Sequence, residues 1–252
     1  MRFDYFTNDT ERSLAPFFSP RMLDITFACI WILGLLLMIL WPLKSPSHFI
    51  EEYRVPLLFP GIFVAALIIN SYVNLRCGRG EMSRDDFIAR LERKKVITLE
   101  EEHEYFSYGL VESLLHTLFL LLLTLPLLIV SATISGISLP VFAKALSILF
   151  TTSLLCRLFG FLMYLFYGRW SKLGYLWTRM FFIFSIFSTG FFAGSLNPIL
   201  LIYSLHRGGE IPSGFPMSAY SLYIMIVACG IILLTLANQA IVRRTMHKER
   251  ST

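Results

Sequence analysis

Glu112, His116 and Arg157, side chains able to carry charge or a proton, lie well inside runs otherwise built from Leu, Phe and Ile. Glu112 and His116 stand four apart, which on a helix puts them on one face. An Arg at mid-membrane costs a few kcal/mol or more and ordinarily faces the protein interior with a partner. At ~1.5 Å per residue, Glu112 lies ~10 Å beyond Tyr105 and Arg157 ~15 Å short of Tyr167. A short outer turn at 132–139 predicts that their helices are antiparallel neighbours, so both groups fall at similar depth. The chemistry on offer is a charge-stabilised polar network of Glu112, His116 and Arg157. Its first reading is an internal staple; substrate passage or gating, and snorkelling of Arg157, are the alternatives.

Patterns for enzymatic chemistry are absent from the sequence. The histidines His48, His103, His116, His206 and His247 are dispersed, and no HExxH, GxSG or DxxDG run occurs. Cys29, Cys77, Cys156 and Cys229 form no CxxC pair, which gives neither a disulfide framework nor a zinc site. Neither a catalytic residue nor a metal ligand is assigned. A P-loop needs GxxxxGK[ST] to hold phosphates on backbone N–H groups and a Lys. The glycine-containing stretch RCGRGEMS, residues 76–83, lacks the GK[ST]. No polar stretch leaves room for a nucleotide-binding domain, so no cofactor is expected on this chain.

The elements that would position these groups follow from composition. The 252 residues are 56% hydrophobic and 15% charged, where an average soluble domain is about a quarter charged. Six apolar runs, at 23–43, 56–75, 106–131, 140–167, 176–204 and 219–242, approach or exceed the ~20 residues that a membrane-spanning helix needs. They lack strand alternation, and lipid leaves no unpaired backbone group satisfied. The fold class is therefore all-α integral membrane with six transmembrane helices, in one transmembrane domain over 1–252. The first run has no small-residue cleavage site behind it and reads as a retained span.

Six spans put both termini and the even-numbered loops on one side. That side holds Arg2, Arg12, Arg21, Arg76, Arg79, Arg84, Arg90, Arg93, Lys94, Lys95, Arg169, Lys172, Arg243, Arg244, Lys248 and Arg250. Only Lys44, Arg54 and Arg207 lie opposite. The positive-inside rule then places both termini and the 76–105 loop in the cytoplasm, in a multi-pass protein of the inner (cytoplasmic) membrane. The net charge of +5 is mostly this topology signal and needs no nucleic-acid partner.

The densest charge is MSRDDFIARLERKKVITLEEEHEY, residues 82–105, with twelve charged side chains. Ser83-Arg84-Asp85-Asp86 has the form of a capping box. Phe87, Ile88 and Leu91 then share a face, with Arg90, Arg93 and Lys94 largely elsewhere. Thr98-Leu99-Glu100-Glu101 is a second start, its acids suited to the positive end of a helix dipole. The pattern predicts a short amphipathic helix at about 83–95, a joint near Val96-Ile97, and a new helix running into the third span. The apolar stripe must be buried on headgroups, on the protein's own spans or on a partner; a solvated linker is the bland alternative.

The chain resembles a permease subunit of the type-2 ABC exporter family over most of its length. The likeness begins with Arg21–Pro42, a span closing in LILWP after a polar amphipathic lead-in at 1–22. It is best in LLLLTLPLLIVSATISGISLPVFAKALSILFTTSLLCRLFGFLMYLFYGR, with its late Leu-Pro, short Gly-containing turn and returning span ending in Arg. SLNPILLIYSL is similar to the Asn-Pro stretch near the outer end of the family's fifth span. Many members carry a Glu-Arg-x-x-Gly-Thr-like run after the second span; here GRGEMSRDDFIARL offers only Glu81. The resemblance implies a cytoplasmic interface segment at 1–22, in which Pro16 and Pro20 argue against one continuous helix. It implies a coupling helix at 82–97 within the 82–105 loop, docking an ABC ATPase subunit through Arg84, Asp85, Phe87, Ile88, Arg90, Leu91 and Arg93. It further implies ATP and Mg on that partner subunit, a second permease copy or homologous permease, and a re-entrant segment after span five.

Asn197-Pro198 breaks the fifth run, since an interior Pro removes a hydrogen bond and kinks a helix; the following 199–205 is the candidate re-entrant stretch. Asn70 and Asn74, four apart in the second span, read first as interhelical hydrogen-bonding groups and second as lining of an interior path. The expected function is the membrane-spanning subunit of an ABC transporter. It would export or flip a lipid-like, drug-like or polymeric substrate on the energy of a separate ATPase. A non-transporting scaffold for a cytoplasmic protein, and an integral-membrane enzyme, are the competing readings. Apart from membrane lipids and protein subunits, no partner is expected.

Overall fold

Long apolar runs with few charges bury best as helices, because every backbone group is then satisfied within its own segment. A computed structural model of the chain describes residues 28, 30–36, 55–80, 99–168, 171–208 and 216–250. Among the described residues every regular element is helical. We number the α-helices α1 (Val55–Gly78), α2 (Leu99–Ile134), α3 (Leu139–Tyr167), α4 (Lys172–Ile183), α5 (Thr189–Phe192), α6 (Pro198–Arg207) and α7 (Ala219–Arg250). A π turn (Phe184–Ser188) joins α4 to α5, and a 3-10 turn (Gly194–Leu196) precedes α6. Residues 30–36 are also helical, with Leu33 inside the core. Four helical stretches have the length and apolarity to cross a membrane: Leu58–Gly78, Ser113–Ile134, Leu139–Tyr167 and Ala219–Val242.

The second, third, fourth and sixth runs thus each lie within one long helix. The first run is described only around 28–36, and the interface segment 1–22 and the coupling segment 82–97 lie outside the described residues. The fifth run is not one helix. Its first part, Lys172 to Phe192, is continuous through the π turn, but the backbone leaves helical geometry at Ala193 (φ −153°, ψ 89°) and restarts after Asn197. Pro198 is therefore not an interior kink. It occupies the first turn of α6, where the missing N–H has no intrahelical partner to lose and the fixed φ suits a helix start.

Helix α3 is the hub. It packs against α1, α2, α4, α6 and α7, and its buried residues, from Ala145 through Arg157 to Tyr164, go round its circumference. Burial divides the spans: 67% of the best apolar stretch of α1 and 56% of that of α3 is buried, against 33% for α2 and 22% for α7. Helices α1 and α3 are the inner pair; α2 and α7 flank them and turn Leu122, Ile129, Ile232 and Leu233 outward, as lipid-bathed helices do. The shared core joins Phe59, Ile62, Phe63 and Ala66 of α1 to Ile148 and Leu149 of α3, Leu201 and Ile202 of α6, and Tyr223 and Val227 of α7.

The inner pair meets without side chains between the backbones. A Cβ placed on Gly160 would collide with the Leu75 carbonyl oxygen, and one on Gly78 with the Arg157 carbonyl oxygen. Two reciprocal glycines thus let α1 and α3 cross at backbone contact, the small-residue device of membrane helix pairs. The turn between α2 and α3 closes on Gly136, at φ 64°, the left-handed region that glycine enters without penalty.

Candidate functional site

Beside the glycine crossing, a buried polar seam runs between α1, α2 and α3. Arg157, 2% exposed, and His116, 0% exposed, meet at 2.9 Å between a guanidinium nitrogen and Nδ1. A guanidinium can only donate, so Nδ1 accepts, and the ring proton of neutral His116 sits on Nε2. Glu112 lies one turn before His116 in α2, with its side chain outside the described residues. Of the three sequence-predicted network residues, two are thus seen side by side, spanning α2 and α3.

One residue along, Thr117 donates to the Asn74 side chain at 2.9 Å and to the Ser113 carbonyl at 2.8 Å. Asn74 in turn donates to the Asn70 carbonyl at 2.9 Å, and the Asn70 amide reaches the Thr124 hydroxyl at 3.4 Å. Thr117, Thr124 and Ser131 repeat every seven residues on α2 and are all buried. A heptad of small hydroxyl residues keeps one face against a neighbour along a long helix. Asn70 and Asn74 therefore serve interhelical hydrogen bonding. On the far side of α3, Thr152 bonds the Tyr223 hydroxyl, Ser147 bonds that of Tyr220 at 2.8 Å, and Asn238 donates to the Leu158 carbonyl at 3.2 Å. These contacts tie α7 to the hub.

Asn197 does two jobs at the break in the fifth run. Its side-chain oxygen accepts from the Leu200 N–H at 2.9 Å, capping α6. Its amide donates to the Ile186 carbonyl at 3.0 Å and to the Thr189 hydroxyl at 3.1 Å. A π turn leaves carbonyls off the regular ladder, and Asn197 collects one of them. Cap and π turn form one hydrogen-bonded unit, which Gly190 accommodates by leaving room for the Asn197 amide.

Arg79, read in the sequence only as a topology signal, is 2% exposed at the end of α1. Its guanidinium donates to the Ser171 carbonyl at 3.0 Å and lies 5.7 Å from the centre of the Tyr175 ring. It anchors the α3–α4 joint to the last turn of α1. Gly174 faces this contact: a Cβ there would be 3.5 Å from the guanidinium and 3.0 Å from the Tyr167 Cβ. The sequence offered a weak signal for Arg79, its position between Gly78 and Gly80, but nothing in the charge pattern distinguishes a buried Arg from a solvated one.

The predicted docking residues Arg84, Asp85, Phe87, Ile88, Arg90, Leu91 and Arg93, and Glu81 with them, lie outside the described residues. Among the described residues no group of His, Cys, Asp and Glu has the arrangement to hold a metal ion. Cys77 and Cys156 are buried and Cys229 is exposed. The site is structural and electrostatic in its capabilities: a buried guanidinium hydrogen-bonded to a neutral imidazole inside the bundle, an anchored helix end and a hydrogen-bonded helix break. No family model, curated protein or solved structure matches the chain.

Proposed function

We propose that this chain is the membrane-spanning subunit of an ABC transporter, similar to type-2 exporter permeases. It would move a lipid-like, drug-like or polymeric substrate outward, or flip it, on energy supplied by a separate ATPase docked on the 82–97 segment. The observation that carries the reading is the anchorage of α1 immediately before that segment. Gly78 is locked against α3, and Arg79 holds the start of α4. A force applied to residues 81–98 would reach α3 and α4 through these contacts instead of dissipating in a loose linker. The Arg157–His116 pair joins α3 to α2 close to that crossing, where a change of packing would be felt by a desolvated charge. In this reading the basic end of the bundle faces the cytoplasm and the chain works as a pair with a second copy or a homologous permease.

Purification of the tagged chain from its own membranes, with associated ATPases identified by mass spectrometry, tests the proposal. Phe87→Glu and Leu91→Glu should release the ATPase while leaving membrane insertion and thermal stability unchanged. A wild-type preparation free of any ATPase, or association indifferent to both variants, overturns it. Stimulation of ATP hydrolysis by substrate in reconstituted vesicles separates a transporter from a scaffold that merely binds an ATPase.

A further inference from the structure

Helix α4 turns two adjoining sectors away from the bundle, and both are exposed. Lys172, Tyr175 and Arg179 stand at i, i+3 and i+7 along one side. Leu176 (54% exposed), Met180 (56%) and Ile183 (50%) form the sector beside them. The buried side of α4, with Gly174 and Thr178, faces the other way. Ordinary amphipathicity would bury the apolar sector in the protein; here it is left outside, next to the cations.

The geometry of Arg179 gives the cationic sector a direction. Its guanidinium lies 4.2 Å from the centre of the Tyr175 ring, one turn back toward the start of the helix. Helical side chains lean toward the N-terminus, so the charge is carried back toward Lys172 and the basic end of the bundle. Arg79 lies 5.7 Å from the same ring. Neither α4 nor the two long helices packed against it, α1 and α3, contains an Asp or Glu. The complementary anion must come from outside these helices, and the apolar sector specifies one joined to hydrocarbon. Arg matches phosphate geometry through its planar fork, and a Tyr at a membrane–water interface sits naturally at headgroup level.

We propose that α4 carries a binding site for an acidic phospholipid. Arg179 and Lys172 hold the headgroup phosphate beside Tyr175, and an acyl chain lies along Leu176, Met180 and Ile183. The proposal goes beyond the transport reading. It requires the chain to be in a bilayer, but no ATPase, partner or substrate, so either can fail without the other.

Native mass spectrometry of the isolated chain, released from nanodiscs with equal phosphatidylglycerol and phosphatidylcholine, tests it. The wild-type chain should retain phosphatidylglycerol in preference to phosphatidylcholine. A basic group near a membrane surface is worth about a fivefold preference for anionic lipid. Arg179→Gln should therefore lower the retained ratio about fivefold, the Lys172→Gln double variant further, and Arg179→Lys only partly. Both positions are exposed, so the fold survives, which circular dichroism checks. Lys144→Gln, on α3 away from α4, should leave the ratio unchanged. Glycerol 3-phosphate and inorganic phosphate should not displace the lipid. Equal retention of the two lipids by the wild type, an unchanged ratio in the double variant, or displacement by inorganic phosphate overturns the proposal.

Discussion

Replacing Gly160 by alanine puts a methyl group where two backbones touch. The new Cβ would overlap the Leu75 carbonyl oxygen and lie 3.1 Å from its carbon and 3.3 Å from the Arg79 nitrogen. Heavy-atom contacts are comfortable only well above these separations, and the overlap with the Leu75 oxygen is the tightest, so α1 and α3 must part by about an ångström. The obstacle is main chain on both sides, which cannot rotate away. Overpacking costs ~1–3 kcal/mol, and a main-chain obstacle puts this case at the upper end. The helix-forming advantage of Ala over Gly returns ~1 kcal/mol. The net loss is about 2 kcal/mol, or ~4–8 °C in Tm for a chain of this size. Thermal unfolding of the detergent-purified protein, followed by size-exclusion recovery, measures it. Gly34→Ala is the internal control, because no described residue lies within 4 Å of its Cβ position; it should be neutral or slightly stabilising. Gly78→Ala should behave like Gly160→Ala, and the double variant should cost less than the sum, since helices already parted have less to lose. A Gly160→Ala protein as stable as Gly34→Ala would refute the backbone-contact account.

Arg157→Leu should lower the midpoint clearly, because it removes the partner of a buried histidine; an unaltered Tm and normal membrane insertion would rule out the staple. His116→Leu should cost ~1.5–3 kcal/mol, the value of a hydrogen bond to a charged group, measured the same way. Asn197→Ala loses the cap, ~1 kcal/mol, and strands the Ile186 carbonyl, ~1–3 kcal/mol; Asn197→Asp keeps the capping oxygen and should fall between wild type and Asn197→Ala. His206, at the end of α6, is held below its ordinary 6.5 by burial and by Arg207. Below pH 6.5 the unfolded chain takes up a proton there that the folded chain resists, so stability is fullest above that pH and falls as pH drops. Tm measured from pH 7.5 to 5 should therefore decline less steeply in His206→Gln than in wild type, and parallel curves would refute this assignment.

How far the sequence spoke depended on whether the signal was local. Apolar runs with few charges are local, and α1, α2, α3 and α7 follow them closely. The break at Asn197 was also local, but an Asn-Pro pair can either interrupt a helix or begin one, and only the backbone path distinguishes the two. The π turn has no residue signature, since it depends on the register between α4 and the elements it packs on. Arg79 and the Gly78–Gly160 crossing depend on which faces of α1 and α3 meet, a long-range property that hydropathy averages away. Arg157 was legible as a buried charge because lipid leaves it few places to go. Its contact with His116 required the relative height of two helices, which the short turn at Gly136 constrains.

The π turn at Phe184–Ser188 also ties together two parts of the chain that hydropathy treats separately. Its closing bond runs from the Thr189 N–H back to the Phe184 carbonyl, so the segment is an α-helix holding one residue more than its ends require. The surplus was accommodated here by an asparagine eleven positions later in the chain, on the other side of the helix break. The two sites depend on each other: without the surplus residue the Asn197 amide has no displaced carbonyl to collect, and without Asn197 the Ile186 carbonyl loses that donor.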